Sequence, residues 1–351
     1  MLTWISSIEE GKNQNKFSNR IDNIENINII KVTNKKTLWL RHNWLLVKHA
    51  KGSNVIVFMP GGVRVSPVMR LASKQAKSFG VYLANDFVNY ASESGYNKIP
   101  GGDNLYLGAY KTSMIVSDFV IARGKKLSRI ARRFCENVYE TIPIGHINVE
   151  ESHKWTLKST GKKPTVLYMG KLIKEKGIED LIDAVSAINK RNESCEVEMY
   201  IAGEGPYKKE AEHYVGKKDN VNNATFLGWV DDKKVLRSLW GRADVLVMPS
   251  SKYKEGVPRV IDEALNRKVP VVATRVGGVE MEYQNGEVLL VEPSNVRQIS
   301  SAIEEVLFNK ETKKRMVKKG IERVEKWSEY DTAGKQHAQI MEMSNNYSVA
   351  Q

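Results

Sequence analysis

At 351 residues with 41% hydrophobic content, the chain is long enough for two ordinary domains, each with a core of its own. No apolar run approaches the length of a membrane span, residues 1–10 lack the basic start and apolar core of a secretory signal, and Cys135 and Cys195 fall in separate predicted halves, which argues against a structural disulfide and for a reducing, cytoplasmic compartment. The net charge of +13 is unevenly spread: residues 1–160 hold 23 Lys and Arg against 12 Asp and Glu, whereas residues 161–351 hold 31 against 29.

The first half reads as strand-helix alternation. Residues 28–32 are a strand pattern, and residues 35–49 a basic helix candidate carrying Trp39 and Trp44. A strand over 55–59 is followed by the glycine pair Gly61-Gly62, a helix from about Pro67 to Ser78, and a strand over 81–84 that runs into Asn85-Asp86. Residues 89–105, rich in Gly, Ser and Asn, predict a loop, and residues 115–122 and 138–144 predict the last strands. Between those two, residues 123–134 place Leu127, Ile130, Ala131 and Phe134 at helical spacing with basic residues on the opposite face. Both basic stretches sit where a crossover helix belongs, so packing on the sheet is the stronger reading; a helix lying on an anionic membrane is the other. The polar, Lys-rich segment 150–164 marks a domain boundary.

The second half is more regular. Residues 165–169 form a strand closed by Gly170-Lys171, and Lys176-Gly177 precede an amphipathic helix with Ile178, Leu181, Ile182 and Val185 on one face. Two lysines five positions apart at a strand-to-helix turn can bracket a phosphate, because a helix start already offers free backbone N–H groups. Residues 199–206 are a strand running into Gly203, Gly205 and Pro206, and residues 225–230 a short strand that meets Gly228. An apolar run ending in Pro249-Ser250 is followed by the segment from Glu255 through Val257 and Pro258 to Glu263, then by the run 269–274 and Gly277-Gly278. Two Glu eight positions apart are commonplace on solvated helices. Here, however, they straddle a loop-to-helix point inside a strand-loop-helix-strand unit whose ligand crevice lies at its strand ends.

In order, Gly170-Lys171-x4-Lys176-Gly177, Gly203-x-Gly205-Pro206, Phe226-x-Gly228, Pro249-Ser250, Glu255-x7-Glu263 and Gly277-Gly278-x-Glu280 resemble the C-terminal half of the GT-B nucleotide-sugar glycosyltransferases, most closely the large retaining family numbered four. The resemblance implies an α/β chain of two Rossmann-like, doubly wound domains facing a central cleft. Their expected extents are 1–155 for an acceptor domain and 156–328 for a donor domain, with residues 329–351 a helix returning to the first. By the same resemblance, Lys171 and Lys176 hold the donor diphosphate, Glu263 the ribose hydroxyls, and Glu255 a hydroxyl of the transferred sugar. Gly277, Gly278 and Val279 approach the phosphates or sugar, and the segments at Gly170, Gly205, Pro206, Gly228, Val257 and Pro258 complete the donor surround. Front-face attack, with the leaving phosphate taking the acceptor proton, needs no enzyme nucleophile, so Glu255 is a substrate orienter. The chain has no Asp-x-Asp and no metal-ligand spacing among its His and Cys, so the sequence predicts transfer without a metal or other cofactor.

The first half departs from that family. The expected opening strand and Gly-rich loop are replaced by Leu2-Thr3-Trp4-Ile5 and a polar stretch, the later pair Gly61-Gly62 being the nearest substitute. Where the family carries a sugar-contacting histidine, this chain has Asn85-Asp86; Asn85 can still donate a hydrogen bond, but no proton-transfer role carries over. In GT-B enzymes this half receives the acceptor, so its positive field implies an anionic or lipid-linked acceptor and peripheral association with the inner membrane face. Nucleic acid is a second polyanionic acceptor class, and a GT-B partner subunit without turnover is a third reading.

Overall fold

The computed structural model describes residues 2–7, 27–32, 55–58, 78–83, 102–141, 163–192, 195–218, 220–221, 223–251 and 257–328. The chain divides into two units, one within residues 1–141 and one within residues 142–333. Residues 35–49, 85–101, 142–162 and 329–351 lie outside the described set, and with them the tryptophan-bearing helix candidate, the boundary segment and the C-terminal tail.

In the first unit β1 (Leu2–Ser7) pairs in parallel with β2 (Ile27–Val32). A second sheet runs β3 (Val55–Phe58), β4 (Ser78–Leu83), β5 (Phe119–Arg123) and β6 (Val138–Thr141) in that spatial order, every pair parallel. Parallel neighbours require crossovers, and α1 (Gly102–Ile115) and α2 (Gly124–Ala131) lie in two of them. Three expectations need correction. Residues 102–105 belong to α1 instead of a loop, because Asp103 and Asn104 suit the first turn of a helix. Ser78 opens β4 and does not close the preceding helix. The apolar stretch 115–122 is split: Ile115 ends α1, and the strand starts only at Phe119. Asp118 explains the split, since its carboxylate accepts the Phe79 N–H at 2.7 Å and its own N–H donates to the Phe79 carbonyl at 2.8 Å, tying the chain to β4 before the strand begins. On α2, Leu127 and Ala131 are buried with Phe79, Val81 and Val120, while Arg129 and, just past the helix end, Arg132 and Arg133 face solvent, so this basic helix packs on its sheet.

The second unit contains β7 (Thr165–Met169), β8 (Glu198–Ala202), β9 (Ala224–Gly228), β10 (Val245–Met248), β11 (Val271–Thr274) and β12 (Val288–Val291). Its helices are α3 (Ile178–Arg191), α4 (Lys208–Gly216), α5 (Lys233–Arg242), α6 (Arg259–Asn266), the single turn α7 (Val279–Glu282), α8 (Val296–Phe308) and α9 (Lys310–Ser328). The six strands are parallel in the order β9-β8-β7-β10-β11-β12, the doubly wound arrangement that reverses direction between β7 and β10. Alternation along each strand feeds both faces. Val166, Tyr168, Val245, Val247 and Val272 pack with Ile178, Leu181, Ile182 and Val185 of α3 and with Ile299 and Ile303 of α8. Leu167, Leu246, Val271 and Ala273 pack with Ile261 and Leu265 of α6 and Val324 of α9. Burial on both faces is why these strands read as unbroken apolar runs.

Candidate functional site

In such a sheet the switch point leaves a crevice at the carboxyl ends of the two central strands, because the flanking connections depart in opposite directions. Here those strands are β7 and β10, and the loops that follow them are stitched together. The Ser251 N–H donates to the Glu175 carbonyl at 2.9 Å, and the Ser251 hydroxyl reaches the same oxygen at 3.3 Å. The Thr274 hydroxyl at the end of β11 donates to the Ser250 carbonyl at 2.7 Å, which brings the third loop into register. Gly177 sits in the left-handed region at φ 66°, and a Cβ there would lie 1.9 Å from the Pro249 carbonyl oxygen. Only glycine can take that conformation at that distance.

The β8 and β9 ends are joined by the same means. The Gly170 N–H donates to the Ala202 carbonyl at 3.0 Å and the Gly203 N–H to the Gly228 carbonyl at 2.7 Å. Gly203, at φ 151°, carries its backbone so close to Gly170 that a Cβ would stand 1.8 Å from the Gly170 carbonyl oxygen. Leu172 then bonds Glu204 and Tyr207 through its N–H and carbonyl, at 2.9 and 3.1 Å.

On this edge Lys171 is exposed in the turn after β7, and Lys176 ends a 3-10 turn, Lys174–Lys176, immediately before α3. The fully buried Tyr168 phenol donates to the Lys171 carbonyl at 3.0 Å, anchoring the turn, and its burial raises its pKa. Burial pushes the Lys176 ammonium down to about 8, and the nearby Lys171 charge adds to the shift. Gly177 opens α3, whose first-turn N–H groups face the same region.

The remaining sequence-derived positions follow the strand ends. Half-buried Gly205 and exposed Pro206 come after β8, and Gly228 closes β9. Buried Val257 and half-buried Pro258 lead into α6, which starts at Arg259 and carries Glu263 on its second turn. Of the eight steps from residue 255 to Glu263, therefore, only the last four run along the helix. Gly277, Gly278 and Val279 make the turn into α7, with Gly277 at φ 60°. The structure thus gathers Gly170, Lys171, Lys176, Gly205, Pro206, Gly228, Val257, Pro258, Glu263, Gly277, Gly278 and Val279 at the carboxyl edge of one sheet. Glu255, Asn85, Asp86, Gly61 and Gly62 lie outside the described residues. Among the described residues, no group of three or more His, Cys, Asp or Glu side chains is arranged to hold a metal ion, and no helix is long and apolar enough to cross a membrane.

Sequence reasoning missed the polar cluster behind this edge. Arg323 of α9 reaches Asp262 of α6 at 3.3 Å, Glu282 of α7 at 3.6 Å and Glu287, just before β12, at 3.5 Å, all four side chains being buried. One signal was present: Asp262 is a carboxylate inside the otherwise apolar stretch 260–265, which continues past Glu263 with Ala264-Leu265.

The family model described as glycosyl transferases group 1 matches residues 149–323. An alpha-D-kanosaminyltransferase of Streptomyces kanamyceticus is 29% identical over 155 residues, 44% of this chain and 39% of that protein. A GDP-mannose-dependent alpha-(1-6)-phosphatidylinositol monomannoside mannosyltransferase of Mycobacterium tuberculosis is 30% identical over 160 residues, 43% of this chain and 40% of that protein. The chain thus spans about two fifths of the length of these relatives. Among solved structures, Anabaena HepE in complex with UDP-glucose superposes with a TM-score of 0.65 at 18% identity, covering 91% of this chain and 86% of that one. That likeness shows the fold, which is GT-B.

Proposed function

The chain belongs to the glycosyl transferases group 1 family through residues 149–323, and from that premise we propose that it transfers a sugar from a nucleoside-diphosphate donor to an anionic or lipid-linked acceptor, with retention of configuration. The observation that carries the donor half is the switch-point loop: Lys171 and Lys176 share the turn that opens α3, and Lys171 is near enough to depress the Lys176 pKa. Two crowded ammonium groups beside free helix N–H groups suit a diphosphate, on whose oxygens charge builds as the glycosidic bond breaks. Such a set can stabilise the leaving group without a metal or other cofactor. Glu263 then takes the ribose hydroxyls, Glu255 orients a sugar hydroxyl, and Gly277, Gly278 and Val279 lie along the phosphates. UDP-glucose held by the HepE structure and the GDP-mannose named for the mycobacterial relative support this donor class.

Retention is proposed to come from front-face transfer. The departing phosphate oxygen accepts the acceptor's proton, so the cations that draw charge onto that oxygen are the principal catalysts. The alpha products named for both relatives are what this route leaves from an alpha-linked donor. An anionic acceptor is supported by the charge of the first half, 23 Lys and Arg against 12 Asp and Glu over residues 1–160, and by the phosphatidylinositol monomannoside named for the mycobacterial relative. The working place is then the cytoplasmic membrane face, with the protein peripheral to it.

Thermal-shift titration with UDP, GDP, ADP and their sugars tests the donor. A ligand at a hundred times its Kd raises apparent stability by about 2.7 kcal/mol, well inside detection. Binding of any of them with measurable nucleotide release supports the reading; no shift with the whole panel ends it. Sedimentation with anionic vesicles is expected for the acceptor half, and tight binding to duplex DNA without vesicle binding would overturn that choice.

A further inference from the structure

The donor reading leaves the Arg323 cluster without a role, although it adjoins two segments of that site. Arg323 Nε lies 3.3 Å from Asp262 Oδ1, and Asp262 directly precedes Glu263 on α6. Adjacent helical residues point about 100° apart, so a grip on buried Asp262 sets the rotation of the helix and with it the direction of Glu263. The second arm runs to α7. Arg323 Nη1 donates to the Glu282 backbone carbonyl at 2.9 Å, and Nη2 stands 3.6 Å from the Glu282 carboxylate. A single-turn helix has almost no stability of its own and leaves its last carbonyls without intrahelical partners; the guanidinium supplies that support. The third arm is Glu287 at 3.5 Å, and the guanidinium also stacks 4.3 Å from the Tyr283 ring centroid.

Apolar side chains of similar volume would hold α9 against α6 and α7 at no lower stability than buried ions. What a planar fork adds is direction, two hydrogen bonds held at a fixed angle to each other by one rigid group. We infer that Arg323 is a positioning residue for the donor site, holding Glu263 on α6 and the Gly277–Val279 turn into α7 in fixed relation to each other. This rests on the donor assignment under Proposed function. A supporting group of this kind matters because a displacement of about 1 Å can cost about a hundredfold in an organised site.

The experiment uses the full chain carrying Arg323→Lys, which keeps the charge and loses the fork. Amide hydrogen exchange is read in residues 259–266, in residues 277–283 and, as an internal reference, in α3, together with affinity for UDP, GDP and ADP far below the melting midpoint. Expected are exchange about tenfold faster in both segments with α3 unchanged, and affinity for the preferred nucleotide lower by about tenfold or more. Unchanged exchange in either segment overturns the inference. Faster exchange with wild-type affinity also overturns it, leaving a purely structural clamp. If the wild-type chain binds none of the three nucleotides, the donor reading itself fails and Arg323 has no site to position. Should Arg323→Lys not fold, Glu282→Gln weakens the α7 arm alone; faster exchange confined to residues 277–283 with weaker nucleotide binding then supports the inference, and wild-type values for both overturn it.

Discussion

Lys171 and Lys176 bring like charges together at the open carboxyl edge of the second sheet, whereas Arg323 of α9 collects three buried carboxylates, from α6, α7 and the residue before β12, around one cation. The two arrangements carry opposite electrostatic costs. At the edge, burial and, after it, the neighbouring Lys171 charge make Lys176 give up its proton more readily, a cost that the proposed diphosphate would offset. In the cluster the attraction is already internal, so its removal leaves carboxylates stranded in a low dielectric. On the proposed donor reading, the charges at the strand end are those a ligand would neutralise, and the opposite charges buried behind them are the frame that holds that place in shape.

The sharpest way to break this comparison is Arg323→Met. With three buried carboxylates left uncompensated, the loss of stability should be about 3–5 kcal/mol, read from denaturant or thermal unfolding of the apo protein. A loss below 1 kcal/mol would mean that the cluster is not a frame. Next in size is Lys176→Ala, expected to weaken nucleotide binding or transfer by about 1.5–3 kcal/mol, roughly ten- to a hundredfold. Its unfolding midpoint should not fall, because the charge it deletes is one that the fold holds at a cost. A variant that binds normally and melts early would assign Lys176 to the frame instead.

The same lysine gives a pH signature. Its folded pKa, about 8, lies below the unfolded value. Between about 8 and the unfolded value the folded chain binds fewer protons than the unfolded one, so apo stability rises with pH across that window. Nucleotide affinity runs the other way: the diphosphate needs the ammonium, so affinity is complete below about 8 and then falls by roughly tenfold per pH unit. Titration calorimetry in buffers of different ionisation heat should detect proton uptake on binding above pH 8, and Lys176→Ala should abolish it.

How much of this the chain declares in advance depends on how local each signal is. The six strands of the second unit are visible because burial on both faces makes each an apolar run, and the places of Gly170, Lys171, Lys176, Gly277 and Gly278 in the chain follow from them, because each lies in the short loop or turn after a strand end. The Arg323 contacts are not, since Asp262 and Arg323 are 61 residues apart and only the return of α9 across α6 joins them. Boundaries failed where a polar residue acted at a distance: Asp118 caps the start of β5 through Phe79, 39 residues earlier, so the apolar run 115–122 contains a break that composition does not show.

The smallest effect expected is also the most discriminating. Burial raises the Asp262 pKa more than Arg323 lowers it, with Glu282 adding to the rise. Tyr283 and Glu287 are the other titratable groups around the same guanidinium. A carboxyl whose folded pKa is raised binds its proton more tightly in the native state, so the stability it lends is present at low pH and is lost as pH climbs from the unfolded value through the folded one. Asp262→Asn keeps the shape and the oxygen that faces Arg323 Nε while removing a charge from a cluster with more carboxylates than cations. At neutral pH it should change stability by less than about 1 kcal/mol, and melting midpoints compared across roughly pH 4 to 8 should show the wild type losing ground to the variant as pH rises. A large loss at neutral pH would instead mean that Asp262 must be ionised for Arg323 to hold α6, and the frame would then depend on the full charge of all three carboxylates.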